Sequence, residues 1–167
     1  MQVTAGSGRW VCLDVGETLI DETRIWTAWA AAMDVTPLTL MAAMGAAIVR
    51  SGDFRDAFAM VGRPDWERYR DAAAQAYAGF APGDLYADAL SSIDALRERR
   101  YRVAIIANQP VERAAELRAI GVTAEVMAMS DEMGVHKPAP EFFGRSLELL
   151  GNPDPASVAY VGDRVDT

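Results

Sequence analysis

The chain has 167 residues, room for one domain and a small insert, and 51% of them are hydrophobic, which supports a packed core and excludes a disordered chain. Its 16 basic and 24 acidic residues give a net charge of −8, which argues against a general nucleic-acid or membrane-surface role. An anionic substrate stays open, because a bound divalent cation inverts the local field.

No apolar run approaches the ~18 residues of a membrane span. Met1 to Arg9 carries no signal-peptide core. The lone Cys12 has no disulfide partner and no zinc-binding neighbours, so it reads as a buried, inert thiol. A soluble, cytoplasmic protein is expected.

Trp10 to Val15 reads as a first buried strand. It carries Asp14 near its end, and Gly16 and Thr18 follow at once. A carboxylate at the end of a buried strand is costly without charged partners. In open α/β sheets that edge is where ligands bind. Asp14 is therefore a candidate metal ligand or nucleophile, with a turn or helix cap as the plain alternative.

From Ile20 to about Ala87 the spacing is helical. Asp21 or Thr23 can cap a helix reaching Met33, and Thr36-Pro37 opens another that ends near Ser51-Gly52. Asp53 caps a short third helix to Val61, and Pro64 begins a fourth that runs to Tyr77 and stops at Gly79. Four helices with short connections predict a small helical bundle.

The pattern then changes. Asp88 to Arg99 is an amphipathic helix, Tyr101 to Ile106 a strand, and Pro110 to Gly121 a helix. Ala124 to Met129 is a weaker strand, Pro138 or Pro140 starts a helix closed by Gly151, and Ser157 to Val161 is the last strand. The basic run Arg97 to Arg102 sits at a helix end, complements the helix dipole, and reads as a solvated face. Strands alternating with long helices imply parallel β-α-β units. The expected fold is α/β: a doubly wound, Rossmann-like parallel sheet, residues 1–20 and 88–167, with a small α-helical domain, residues 21–87, inserted after the first strand.

The strand ends carry a recurring chemistry. The first ends at Asp14, the second at Ala107-Asn108, and the last at Gly162-Asp163. Lys137 is the one Lys among the 16 basic residues, and it lies in the loop Gly134-Val-His-Lys-Pro-Ala-Pro140. A Lys is a compact point charge suited to a phosphate or carboxylate, although surface exposure by chance is the plain reading. Two carboxylates with backbone oxygens suit Mg²⁺.

This ordered set resembles the haloacid dehalogenase-like superfamily of hydrolases, and the resemblance covers nearly the whole chain. Asp14-Val-Gly-Glu-Thr18 is similar to the family's first motif, Val103 to Asn108 to the second, the Lys137 loop to the third, and Tyr160-Val-Gly-Asp163-Arg to the fourth. The resemblance implies a Mg²⁺-dependent phosphatase acting on a small phosphorylated metabolite, with no nucleic-acid or membrane partner. Asp14 would be the nucleophile that forms an aspartyl-phosphate. Mg²⁺ would sit on Asp14, the Gly16 carbonyl and Asp163. Lys137 would hold Asp14 and the phosphate together, with Thr18 and Asn108 completing the substrate-binding set. The helical insert would be a small mobile cap, in which Arg24, Arg63 and Trp66 are candidates for substrate contact. Trp26, Trp29 and Trp66 nonetheless read first as bundle core, and His136 as a loop residue.

Three departures from the pattern qualify it. Gly16 stands where a second Asp normally serves as general acid/base, a loss commonly worth ~10²–10⁴ in rate. Glu17 would point elsewhere and does not replace it. Ala107 stands where a Ser or Thr hydroxyl is usual, removing a hydrogen bond of roughly 0.5–1.5 kcal/mol. The chain stops at Asp166-Thr167, where the family pattern continues, which implies a core incomplete at its C-terminal end. Two alternatives follow. One is a degenerate member that binds a phosphorylated ligand or a protein. The other is a phosphonate or carbon–halogen hydrolase.

Overall fold

The structure, a computed structural model, describes residues 8–164. Residues 1–7, which hold most of the N-terminal stretch considered above, and the terminal Asp166-Thr167 lie outside them.

The chain divides into two compact units, one formed by the residues up to Asp21 and from Phe80 onward, the other by Glu22–Gly79. Residues 80–87, which the helical pattern places in the insert, thus belong to the first unit.

The first unit is built on four strands: β1 (Trp10–Leu13), β2 (Arg102–Ala107), β3 (Val126–Met129) and β4 (Val158–Val161). All pair in parallel, in the order β3-β2-β1-β4. β1 and most of β2 are buried on both faces, as a continuous apolar run in a parallel sheet requires. Trp10, Cys12, Ala104 and Ile106 share one face and pack with Phe142 and Leu150. Burial pushes the Cys12 thiol up to about 11, which keeps it protonated and inert.

The connecting helices of this unit are α5 (Ala89–Glu98), α6 (Arg113–Ala119), α7 (Ser130–Met133) and α8 (Pro140–Leu149); those of the second unit are α1 (Thr23–Ala32), α2 (Pro37–Ser51), α3 (Asp56–Met60) and α4 (Arg70–Tyr77). α6 begins at Arg113, later than Pro110 suggests, and α7 is too short for a periodic signal.

In the helical unit, Thr36 caps α2 by accepting from the Thr39 N–H, and Gly52 ends it in the left-handed conformation at φ 77°. Ala30, Met33, Leu40 and Phe58 form the core, and Trp26, Trp29 and Trp66 pack against it. Phe58 stacks on Trp66 with centroids 5.1 Å apart. The expected fourth helix starts later than Pro64: a 3-10 turn at Trp66–Tyr69 precedes α4. That turn carries Trp66 into the aromatic cluster, where packing overrides the local helix signal.

Among the described residues no single helix is long and apolar enough to cross a membrane. α1 and α2 pass that test only as a pair, and the chain bends by 110° between them.

Candidate active site

The order β3-β2-β1-β4 means that the chain leaves β1 toward β2 and β3, then returns to the other side of β1 as β4. The crevice between β1 and β4 is therefore the topological switch point of the sheet, the place where open α/β folds bind ligands beyond the carboxyl ends of their strands. Asp14 follows β1 there and Asp163 follows β4. The register sets Leu13 beside Val161, and the Asp14 N–H donates to the Val161 carbonyl at 2.9 Å. Gly162 lies directly against Asp14: a Cβ at that position would sit 3.5 Å from Asp14 Oδ2 and 3.4 Å from a ring carbon of Tyr160.

Asp14 is buried, at 8% exposure, and so is Lys137, also at 8%. They form an ion pair in which Lys137 Nζ donates to Asp14 Oδ2. The second carboxylate oxygen, Oδ1, accepts from the Val15 N–H at 2.9 Å. A buried carboxylate that accepts from an ammonium and a backbone amide is held in one orientation. Neighbouring Asp163 is exposed. Partial desolvation, and then the negative charge of Asp14, raise its carboxyl above the ordinary value, while Lys137 and Arg164 pull it back.

Lys137 arrives from the α7–α8 loop, and its backbone is clamped by Asn108 at the end of β2. Asn108 Oδ1 accepts from the Lys137 N–H at 2.8 Å, and Asn108 Nδ2 donates to the Lys137 carbonyl at 2.9 Å. Both ends of the Asn108 amide thus serve the Lys137 loop in this structure. The peptide that follows, Lys137-Pro138, is cis.

Thr18 lies in the turn after β1, its N–H donating to the Val15 carbonyl at 3.3 Å. Its hydroxyl is buried and has no hydrogen-bond partner among the described residues. Gly16 pairs with Ile20 in an isolated bridge of the same turn. Glu17 is exposed, adopts φ 51°, and accepts a hydrogen bond from the Tyr86 hydroxyl. Ala107 is fully buried at the end of β2 and offers no hydroxyl.

The candidates outside this edge have other partners. In the helical unit the Arg24 guanidinium donates to the carbonyls of Tyr77 and Gly79 and lies over the Tyr77 ring, 4.1 Å from its centroid. Arg63 Nε donates to the Met33 carbonyl at 2.8 Å. His136 is exposed, 3.3 Å from Asp131.

One residue of the edge has no role in the motif reading above. Tyr160, in β4, accepts from Lys137 Nζ and donates to the Ile106 carbonyl, each at 2.8 Å. Its signal was a hydroxyl-bearing aromatic on the inward face of a strand, since such a hydroxyl needs a partner when buried.

No curated protein matches the sequence. Solved structures do match in fold. A HAD phosphatase from Thermococcus onnurineus superposes with a TM-score of 0.60 at 18% identity, over 95% of this chain and 78% of that one. An L-2-haloacid dehalogenase, RSc1362, does so at 0.65 and 15%, over 92% and 77%. A HAD-hydrolase from Bacillus subtilis, YfnB, described bound to magnesium, does so at 0.72 and 15%, over 95% and 79%. At such identities these likenesses speak to the fold. The model of the haloacid dehalogenase-like hydrolase family matches residues 9–166, and the chain belongs to that family of hydrolases.

Proposed function

We propose that the chain hydrolyses a small phosphate ester with Asp14 as nucleophile. The observation that carries the reading is the buried Asp14–Lys137 pair at the sheet's switch point, with Asp163 on the adjoining strand end. An Asp14 oxygen would attack phosphorus in line as the ester oxygen leaves, giving an aspartyl-phosphate that water then hydrolyses at phosphorus. Lys137 would offset charge on Asp14 and on the incoming phosphoryl oxygens. Asn108 would fix the Lys137 backbone. The unpartnered Thr18 hydroxyl suits a phosphoryl oxygen as acceptor. In this reading the helical unit is the cap that selects the leaving group.

The donor set fits a hard divalent ion. Among the described residues no three His, Cys, Asp or Glu side chains group as a metal site. Asp14, Asp163 and the Gly16 carbonyl would hold Mg²⁺ together with water, the mixed shell that this ion favours. When bound it supplies neutralisation of charge on the transferring group.

Gly16 favours a second reading. With no carboxyl there to protonate a leaving group, Asp14 could serve carbon–halogen cleavage, whose halide leaves without a proton. Phosphate release from an activated aryl phosphate, with and without Mg²⁺, is the deciding measurement, with chloride release from a 2-haloacid run in parallel. The phosphatase reading expects phosphate release that needs both Mg²⁺ and Asp14. Chloride release without phosphate release, or full phosphatase activity in Asp14→Asn, overturns it.

A further inference from the structure

We propose that Tyr160 is the positioning residue that holds the Lys137 ammonium on Asp14; this rests on the reading of Asp14 as nucleophile and Lys137 as its partner. Lys137 stands on a loop, and a four-carbon side chain reaching from a loop has many rotamers. Its backbone is fixed by Asn108, but that leaves the ammonium end free to wander. Among the described residues two groups receive that end: Asp14 Oδ2 and the Tyr160 hydroxyl. Asp14 alone could not serve as anchor through a reaction in which its charge is transferred to a new bond. Tyr160 keeps its geometry throughout, because its own proton is committed to the Ile106 carbonyl in β2. The hydroxyl can therefore present only its lone pairs to Lys137.

The ring is equally constrained. Phe143 of α8 meets it edge-on at 6.2 Å, and Gly162 leaves room for it beside Asp14. Tyr160 touches neither substrate nor phosphorus in this scheme; it sets where the ammonium stands.

Lys137 is the one Lys of the chain, so lysine labelled with ¹⁵N at Nζ reports it alone. The intact protein is expected to show one ammonium signal with slow proton exchange. Tyr160→Phe keeps the ring and removes the hydroxyl. Its exchange is expected to quicken at least about fivefold, and its kcat on an aryl phosphate to fall about tenfold or more with KM within about twofold, the size of one lost hydrogen bond to a charged group. Unchanged exchange overturns the proposal, and so does faster exchange with an unchanged kcat. Failure to see a protected ammonium in the parent protein overturns it without any variant. Faster exchange with no phosphate release from either protein upholds the positioning role and defeats the phosphatase reading instead.

Discussion

The two units differ in what their inward-reaching charges meet. In the helical unit the two arginines that reach inward are matched to main-chain carbonyls: Arg24 to those of Tyr77 and Gly79, Arg63 to that of Met33. Such contacts tie off carbonyls at helix ends and turns. In the α/β unit the buried Asp84 is likewise met by backbone, the Ala81 N–H, but two buried charges answer one another. Asp14 and Lys137 pair across 123 residues of sequence, and Asp163 stands beside them with a raised carboxyl. The aromatic hydroxyl of Tyr77 aside, the buried polar and charged side chains among the described residues, namely Asp14, Asp84, Ser130, Lys137 and Ser146, fall in this unit. A charge satisfied by backbone is architecture; a charge satisfied by another side chain at a switch point is available for chemistry.

The sharpest way to break this comparison is Asp14→Asn. It should remove phosphate release by about 10⁴-fold or more, as loss of a covalent nucleophile does, while unfolding by urea still shows a cooperative transition. Phe58→Ala tests the other side. Phe58 is 1% exposed at the centre of the aromatic cluster, so its truncation should lower stability by about 3–5 kcal/mol in denaturant unfolding. Its effect on a per-folded-molecule rate should be small by comparison.

Gly16→Asp restores a carboxyl where the family pattern has one. It should accelerate hydrolysis of an alkyl phosphate by about 10²-fold and change an activated aryl phosphate far less, since only the poor leaving group needs the proton. Equal effects on both substrates would remove the general-acid account of this position. The smallest expected effect is that of Arg24→Met, about 1.5–3 kcal/mol of stability from lost charged hydrogen bonds to Tyr77 and Gly79. A raised KM with unaltered stability would instead make Arg24 a substrate contact and blur the distinction between the units.

Much of this was readable from the chain alone. Alternating apolar runs and amphipathic helices are local patterns, so the parallel α/β fold, the helical insert and the positions of Asp14, Asn108, Lys137 and Asp163 at strand ends or in a loop could be named in advance. Capping chemistry is local too, and Thr36, Gly52 and the Pro140 start of α8 fall where it places them. Contacts between distant segments were not readable from spacing, which carries no information about which side chains meet; the family resemblance alone implied that Lys137 holds Asp14. Strand order decided that β4 returns beside β1, and with it that Asp14 faces Lys137 and Asp163. Packing decided that Trp66 turns the chain into a 3-10 segment ahead of α4. It also placed the Tyr160 hydroxyl between an ammonium from one loop and a carbonyl from another strand, a role no motif could show because its partners lie 23 and 54 residues away.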